Sequence, residues 1–303
     1  MLNIKKIDIL WKTICDNKLN LDSITHWNND ILVTSKDTHS VLCYDKDTGK
    51  FKYNIGKKGY DYDKFNRPNG ITIIGDYLFV IERDNKRCQI FDMKQKKSIA
   101  FFGFKILKKP YGITGLIHKD QYILFITDDE LDTIFKFNLK IYNNEIKKIK
   151  SSIFMELSGT SLESILIDNN NQRLLVANEK NKKIKIFDYN GILIHEITDI
   201  FEGDPEGITM TDNNYIFTDQ TDNDTYFHIY DKKSIKYQYS YNNSLVTNTD
   251  GIHYDGEYLY AIDDDCSLVK LQIPKSSGGS SSCLFPIIIT GLLVSIIKKL
   301  NYF

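Results

Sequence analysis

The chain has 303 residues, is 42% hydrophobic and 13% aromatic, and carries a formal net charge of −1. That much apolar material can bury a large core within a single domain. The missing basic excess excludes general binding to nucleic-acid phosphates, and lysine pairs such as Lys147-Lys148 and Lys182-Lys183 read as solvated strand edges that discourage aggregation.

In chain order, the run Ile4-Lys5-Lys6-Ile7-Asp8-Ile9-Leu10 reads as a first strand, and six staggered copies of one pattern follow. Each copy starts with an apolar segment beside a glycine, continues with a strand ending in an acidic or polar residue, and goes on to a strand ending Phe-Asp or similar. The first copy holds Ser23-Ile24-Thr25, Val33-Thr34-Ser35 and Tyr44-Asp45. A shift of 47 positions lays these without a gap on Gly70-Ile71-Thr72, Val80-Ile81-Glu82 and Phe91-Asp92 of the second. The third runs from Tyr111-Gly112-Ile113 through Thr127-Asp128 to Phe137-Asn138, and the fourth from Leu162-Glu163-Ser164 through Asn178-Glu179 to Phe187-Asp188. Pro205-Glu206-Gly207-Ile208, Phe217-Thr218-Asp219 and Tyr230-Asp231 mark the fifth; Thr249-Asp250-Gly251-Ile252 and Tyr260-Ala261-Ile262-Asp263 mark the sixth.

Within the copies, apolar and polar residues alternate at period two and are broken by Asn, Asp and Gly, as half-buried antiparallel strands require. A period of about 40–50 residues with four strands per unit is the pattern of a β-propeller. The sixth copy has only three strands before Pro274, so the N-terminal run is expected to supply its fourth and close the ring. The expected fold is all-β, a six-bladed β-propeller over residues 1–274.

Five cysteines without a C-x-x-C pair (Cys15, Cys43, Cys88, Cys266, Cys283) read as free thiols in a reducing compartment. The N-terminus has no signal-peptide pattern, which places the propeller facing the cytosol. Asn223-Asp224-Thr225 and Asn242-Asn243-Ser244 fit the glycosylation pattern, but an Asn-rich chain produces such matches by chance. Residues 275–283 read as a Ser/Gly linker and 284–303 as a short hydrophobic tail. Its 14-residue apolar run would span about 21 Å as a helix, short of a ~30 Å hydrocarbon core. A C-terminal membrane anchor, a lipid-attachment signal and a non-inserting tail all stay open.

Two positions of the repeat carry chemistry. The residue before the repeat glycine is Asp22, Asn69, Tyr111, Glu163, Glu206 and Asp250; the residue ending the second strand is Ser35, Glu82, Asp128, Asn178 (followed by Glu179), Asp219 and Asp263. A propeller gathers each set around its axis. So many carboxylates at short range need compensation, and an oxygen-only donor set points to calcium rather than zinc. The alternative for the second set is that each acid hydrogen-bonds the next turn's backbone. Lys36, Arg83 and Lys180 follow these strand ends and would suit a phosphorylated ligand.

On these residues the chain resembles the β-propeller phytases, over roughly 22–265. Tyr111-Gly112-Ile113, Leu162-Glu163-Ser164 with Ala177-Asn178-Glu179, Pro205-Glu206-Gly207-Ile208 with Thr218-Asp219-Gln220, and Asn248-Thr249-Asp250-Gly251-Ile252 are similar to that family's segments. The resemblance implies a calcium-dependent phosphoric monoester hydrolase acting on inositol phosphates. Calcium would be held by Asp22, Glu163, Glu179, Glu206, Asp250 and Asp263, phosphate gripped by Lys36, Arg83, Tyr111 and Lys180, and catalysis carried by Glu163, Glu206 and Asp250. The chain departs from the family in offering a single Asp at Leu21-Asp22-Ser23, Asp128-Asp129 where a lysine is expected, and Ser164 in place of a glycine. A monomer is expected. The rival function is a non-catalytic, NHL-like propeller that binds proteins, and a third is a lactonase-like propeller with one central metal.

Overall fold

Alternation decides the architecture, because a strand with one apolar face must bury it against a neighbour. The computed structural model describes residues 3–14, 19–222, 224–263 and 266–274, and residues Met1–Ile273 form one compact unit. The expected linker (275–283) and tail (284–303), Cys15, Cys283 and Asn223 lie outside the described residues.

Six antiparallel sheets stand in a ring, one per sequence copy. Blade 1 is built from Leu21–Trp27, Asp30–Ser35, Ser40–Asp45 and Phe51–Ile55, and blade 2 from Pro68–Ile74, Tyr77–Glu82, Arg87–Asp92 and Lys97–Phe102. Blade 3 starts at Pro110–His118, blade 4 at Leu162–Asp168, blade 5 at Ile208–Met210 and blade 6 at Thr249–Tyr254. Apolar clusters fill the gaps between adjacent blades. Ile24, Val33, Tyr260 and Leu268 join blades 1 and 6, while Phe79, Ile81, Leu124 and Phe137 join blades 2 and 3. The chain is a six-bladed β-propeller.

The ring closes on the N-terminus as expected, with a different strand. The run read as one strand from Ile4 to Leu10 divides at Ile7. Ile4–Lys6 adds a parallel fifth strand to the edge of blade 5, with Ile4 opposite Ser240. Asp8–Ile14 then pairs antiparallel with Ser267–Gln272 and completes blade 6. Ile7 is the pivot: it is fully buried among Phe227, Tyr241 and Leu271, and its carbonyl accepts from Asn243 Nδ2 at 2.8 Å.

The cysteine reading needs one correction. Cys43 and Cys88 are buried free thiols, and burial pushes the Cys43 thiol up to about 12, too high for reactivity. Cys266, however, is disulfide-bonded. No helix among the described residues is long and apolar enough to cross a membrane.

Candidate axial site

Five of the six inner strands, all but that of blade 5, begin with an irregularity that decides where the first set of residues points. The pairing register slips between Leu21 and Ile24, Pro68 and Ile71, Pro110 and Ile113, Leu162 and Ile165, and Thr249 and Gly251. Such bulges re-aim a side chain out of the strand's alternation. Here the re-aimed residues are Asp22, Asn69, Tyr111, Glu163 and Asp250. Strand-end threonines hold the bulges: Gly112 N donates to Thr127 Oγ1 at 2.7 Å, Gly207 N to Thr218 Oγ1 at 2.7 Å, and Ser23 N to Thr34 Oγ1 at 2.9 Å. The following glycine permits close approach of the next blade. A Cβ on Gly112 would lie 2.5 Å from the Glu163 carbonyl oxygen, and one on Gly70 would lie 2.3 Å from that of Tyr111.

The result is one pocket at the end of the ring where the inner strands begin, lined by Asp22, Tyr111, Glu163, Glu206 and Asp250 with Ser23, Gly70, Gly112 and Ser164. Its cavity volume is about 20 Å³, room for about one water or ion. Asp22 forms an ion pair with Lys36 and accepts from the Tyr111 hydroxyl at 3.1 Å. Lys36 Nζ stands 5.5 Å from the centre of the Tyr111 ring. Burial works against the Lys36 charge, but Asp22, Asp250 and Glu163 outweigh it and hold its pKa above the ordinary value.

Crowding shows in the acids. Burial, followed by the charge of Asp22, pushes Glu163 up to about 8, against an opposing hydrogen bond from Tyr111. Burial, followed by Asp250 and Glu163, pushes Glu206 up to about 10, and Glu206 hydrogen-bonds Asp250. Burial and the same four carboxylates drive the Tyr111 hydroxyl well above its usual range. Glu163 is 7% exposed, yet its Oε2 has no hydrogen-bond partner, and neither side-chain polar atom of fully buried Asn69 has one.

Glu179 stands beside this pocket rather than in it. Ser161 Oγ lies 2.9 Å from Glu179 Oε2 and 3.3 Å from both Glu163 Oε1 and Asp129 Oδ1. The acidic ring therefore extends to Glu179 and Asp129, and Lys109 pairs with Asp129.

Asp263 does not line the pocket. It accepts from Ser267 N at 3.1 Å and from Lys12 Nζ at 3.0 Å, so its charge is spent on the blade 6 turn and the closing strand. The other members of that set behave alike. Asp128 accepts from Lys108 N at 2.7 Å and Leu131 N at 3.2 Å; Asp219 accepts from Glu202 N at 3.0 Å and Gly203 N at 2.8 Å; Glu82 pairs with Arg87. Among the phosphate-binding candidates, Lys36 and Tyr111 reach the pocket. Arg83 and Lys180 do not line it; Arg83 is half-buried and Lys180 exposed.

Sequence reasoning included Asn69 in the ring but missed Ser161, whose hydroxyl lies within reach of three acids. Asp219, His228 and Ser240 also form a hydrogen-bonded row, with His228 Nε2 3.2 Å from Asp219 Oδ2 and Nδ1 2.6 Å from Ser240 Oγ. All three are buried, so this row ties the strands of blade 5 together.

The donor set fits a hard divalent cation in its chemistry: every group is an oxygen, the charge is high, and one buried carboxylate oxygen lacks a partner. Among the described residues, no three His, Cys, Asp or Glu side chains are grouped to hold a metal ion; Asp22 is engaged by Lys36 and Glu206 by Asp250.

No protein-family model and no curated protein sequence matches the chain. Among solved structures, it is similar to a catalytically inactive virginiamycin B lyase variant from Staphylococcus aureus with quinupristin, at 16% identity and a TM-score of 0.59, covering 89% of this chain and 100% of that one. It is also similar to a chain of a nidogen/laminin complex, at 14% identity and a TM-score of 0.57, covering 75% and 81% of the two chains. Kuenenia stuttgartiensis hydrazine synthase follows at 15% identity and a TM-score of 0.57, covering 82% and 75%. At these identities the likeness defines the fold alone, a propeller shared by enzymes and by a component of a binding complex.

Proposed function

We propose that the axial pocket is a hydrolytic centre for phosphate monoesters that works with a bound calcium ion. The observation that carries this reading is the meeting of Asp22, Glu163, Glu206 and Asp250, from four blades, in one pocket where Glu163 Oε2 is buried without a partner. Those four acids, with Glu179 at the edge, would hold the ion. Calcium, when bound, supplies the positive charge that offsets crowded carboxylates and phosphate oxygens. Tyr111 and Lys36 donate to the phosphate. Glu163 keeps a proton up to about 8 in the ion-free pocket; it would release that proton when calcium binds and, as a ligand, would help orient the attacking water. Inositol phosphates are the substrate class that the phytase resemblance supplies.

The second reading, a binding propeller without catalysis, draws on a separate observation. Lys36 is already committed to Asp22, and Arg83 and Lys180 stand away from the pocket, which leaves few free cations for a highly phosphorylated substrate. One experiment separates the two. Phosphate release from calcium phytate and from a small aryl phosphate is measured near neutral pH, with and without chelator, for the full chain and for Glu206→Gln. Chelator-sensitive release lost in Glu206→Gln supports the hydrolase. No release, with a calcium-dependent rise in melting temperature, favours the binding propeller, and neither effect removes calcium from the account.

A further inference from the structure

A second surface at the same end of the ring is independent of the acid pocket. The segment 56–67 joins the outer strand of blade 1 to the inner strand of blade 2, and 103–109 joins blades 2 and 3. The turn 83–86 lies between the second and third strands of blade 2. All three open where the inner strands begin. Together they carry nine lysines and arginines against three aspartates, in a protein whose overall charge is −1. Lys57, Lys58, Arg67, Lys86, Lys105 and Lys108 are exposed.

Large rings stand among these charges. Tyr60 is 73% exposed, Tyr62 49% and Phe104 51%. Phe101 links the loops, with its ring 4.9 Å from Tyr62 and 6.1 Å from Phe104. The loop that presents the tyrosines is fixed from below. Arg87, buried and paired with Glu82, donates to the Tyr60 carbonyl at 2.8 Å and lies 4.3 Å from the Phe101 ring. Asn85 Nδ2 donates to the Gly59 carbonyl at 2.9 Å, and Gln89 Nε2 to that of Lys64 at 2.9 Å. A buried polar network thus holds apolar rings out in water, an arrangement unfavourable to the isolated protein.

We infer that this aromatic and basic loop face docks on an anionic lipid surface. Amphipathic rings favour the level of the headgroups, and lysines beside them gain from the negative potential of anionic lipids. The rings project from loop tips, a shape suited to insertion into a planar interface, and their charge surroundings match that interface in sign.

The test is co-sedimentation of the full chain with phosphatidylcholine vesicles and with vesicles that also contain phosphatidylserine. Two variants are compared, Lys57→Glu/Lys58→Glu/Lys105→Glu and Tyr60→Ala/Phe104→Ala. All five side chains are exposed, so unchanged melting temperatures are expected. Wild type should prefer the anionic vesicles, and the charge variant should bind them at least about tenfold more weakly, while the aromatic variant binds both vesicle types less. An anionic preference that persists in the charge variant would place it elsewhere in the chain and overturn the inference. Equal binding of wild type to both vesicle types would do the same, as would preferential capture of a single-stranded oligonucleotide over anionic vesicles.

Discussion

Replacing Glu163 by Gln tests the electrostatics of the axis most directly. The folded protein holds this carboxyl at about 8, through burial first and the Asp22 charge second, whereas an exposed glutamate titrates near 4.5. Between those values the folded state keeps a proton that the unfolded chain has released. Stability contributed by that proton is complete below the lower value and is lost as pH rises to the upper one. Each pH unit in the window then removes up to about 1.4 kcal/mol, or roughly 4–5 kcal/mol in all. Gln mimics the protonated form. Glu163→Gln should therefore match wild type at pH 5 and exceed it by a few kcal/mol at pH 8. Glu206, pushed to about 10 by burial and Asp250, adds a slope of the same sign that the variant keeps in part. Urea unfolding at pH 5, 6, 7 and 8 gives the free energies by linear extrapolation. Saturating calcium should flatten the wild-type decline, since the ion takes the place of the protons. Parallel pH profiles for wild type and variant would refute the reasoning.

Other perturbations probe separate parts of the argument. Lys36→Met leaves Asp22 buried without its ion pair, and it should cost about 3 kcal/mol near pH 7 with recovery in acid; equal losses at both pH values would show that the pair does not matter. Gly112→Ala puts a Cβ 2.5 Å from the Glu163 carbonyl oxygen and 3.1 Å from Thr127 Oγ1, so calorimetry should show a loss of about 2 kcal/mol or more. Ser240→Ala removes a buried partner of His228. It should destabilise by about 1–2 kcal/mol and leave phosphate release unchanged, whereas lost release with an intact fold would make the blade 5 row catalytic.

The ring was legible in the sequence because a propeller repeats one instruction six times. Gly70 and Gly112 mark close approach of inner strands, and Phe91-Asp92 and Phe187-Asp188 mark the ends of third strands. The closing strand was harder to read. Ile4 to Leu10 alternates well enough for a single strand, and only packing reveals that Ile7 belongs between two blades, which hands Ile4–Lys6 to blade 5 and Asp8–Ile14 to blade 6. Arg83 and Lys180 share a sequence position with Lys36, give or take one residue, but among the described residues neither forms an ion pair like the one that holds Lys36 against Asp22.

The two sets of acids looked alike in the sequence, and hydrogen bonding is what divides them. Asp128, Asp219 and Asp263 each receive two or more donors from the loops and strands beside them, so their charge stabilises the blade, as an exposed or unpaired carboxylate in the same place could not. The bulged set has no turn to cap. The acids there face one another, so burial and their mutual charge raise the pKa values of Glu163 and Glu206 and leave Glu163 Oε2 without a donor. Nothing about blade packing requires acids there, since Gly70 and Gly112 alone permit the close approach, and Asn69 and Tyr111 occupy the same ring position without a charge. An arrangement that burdens the fold and could be neutral at every position is intelligible as a site that something positive completes, and the calcium dependence of stability is the measurement that bears on it most directly.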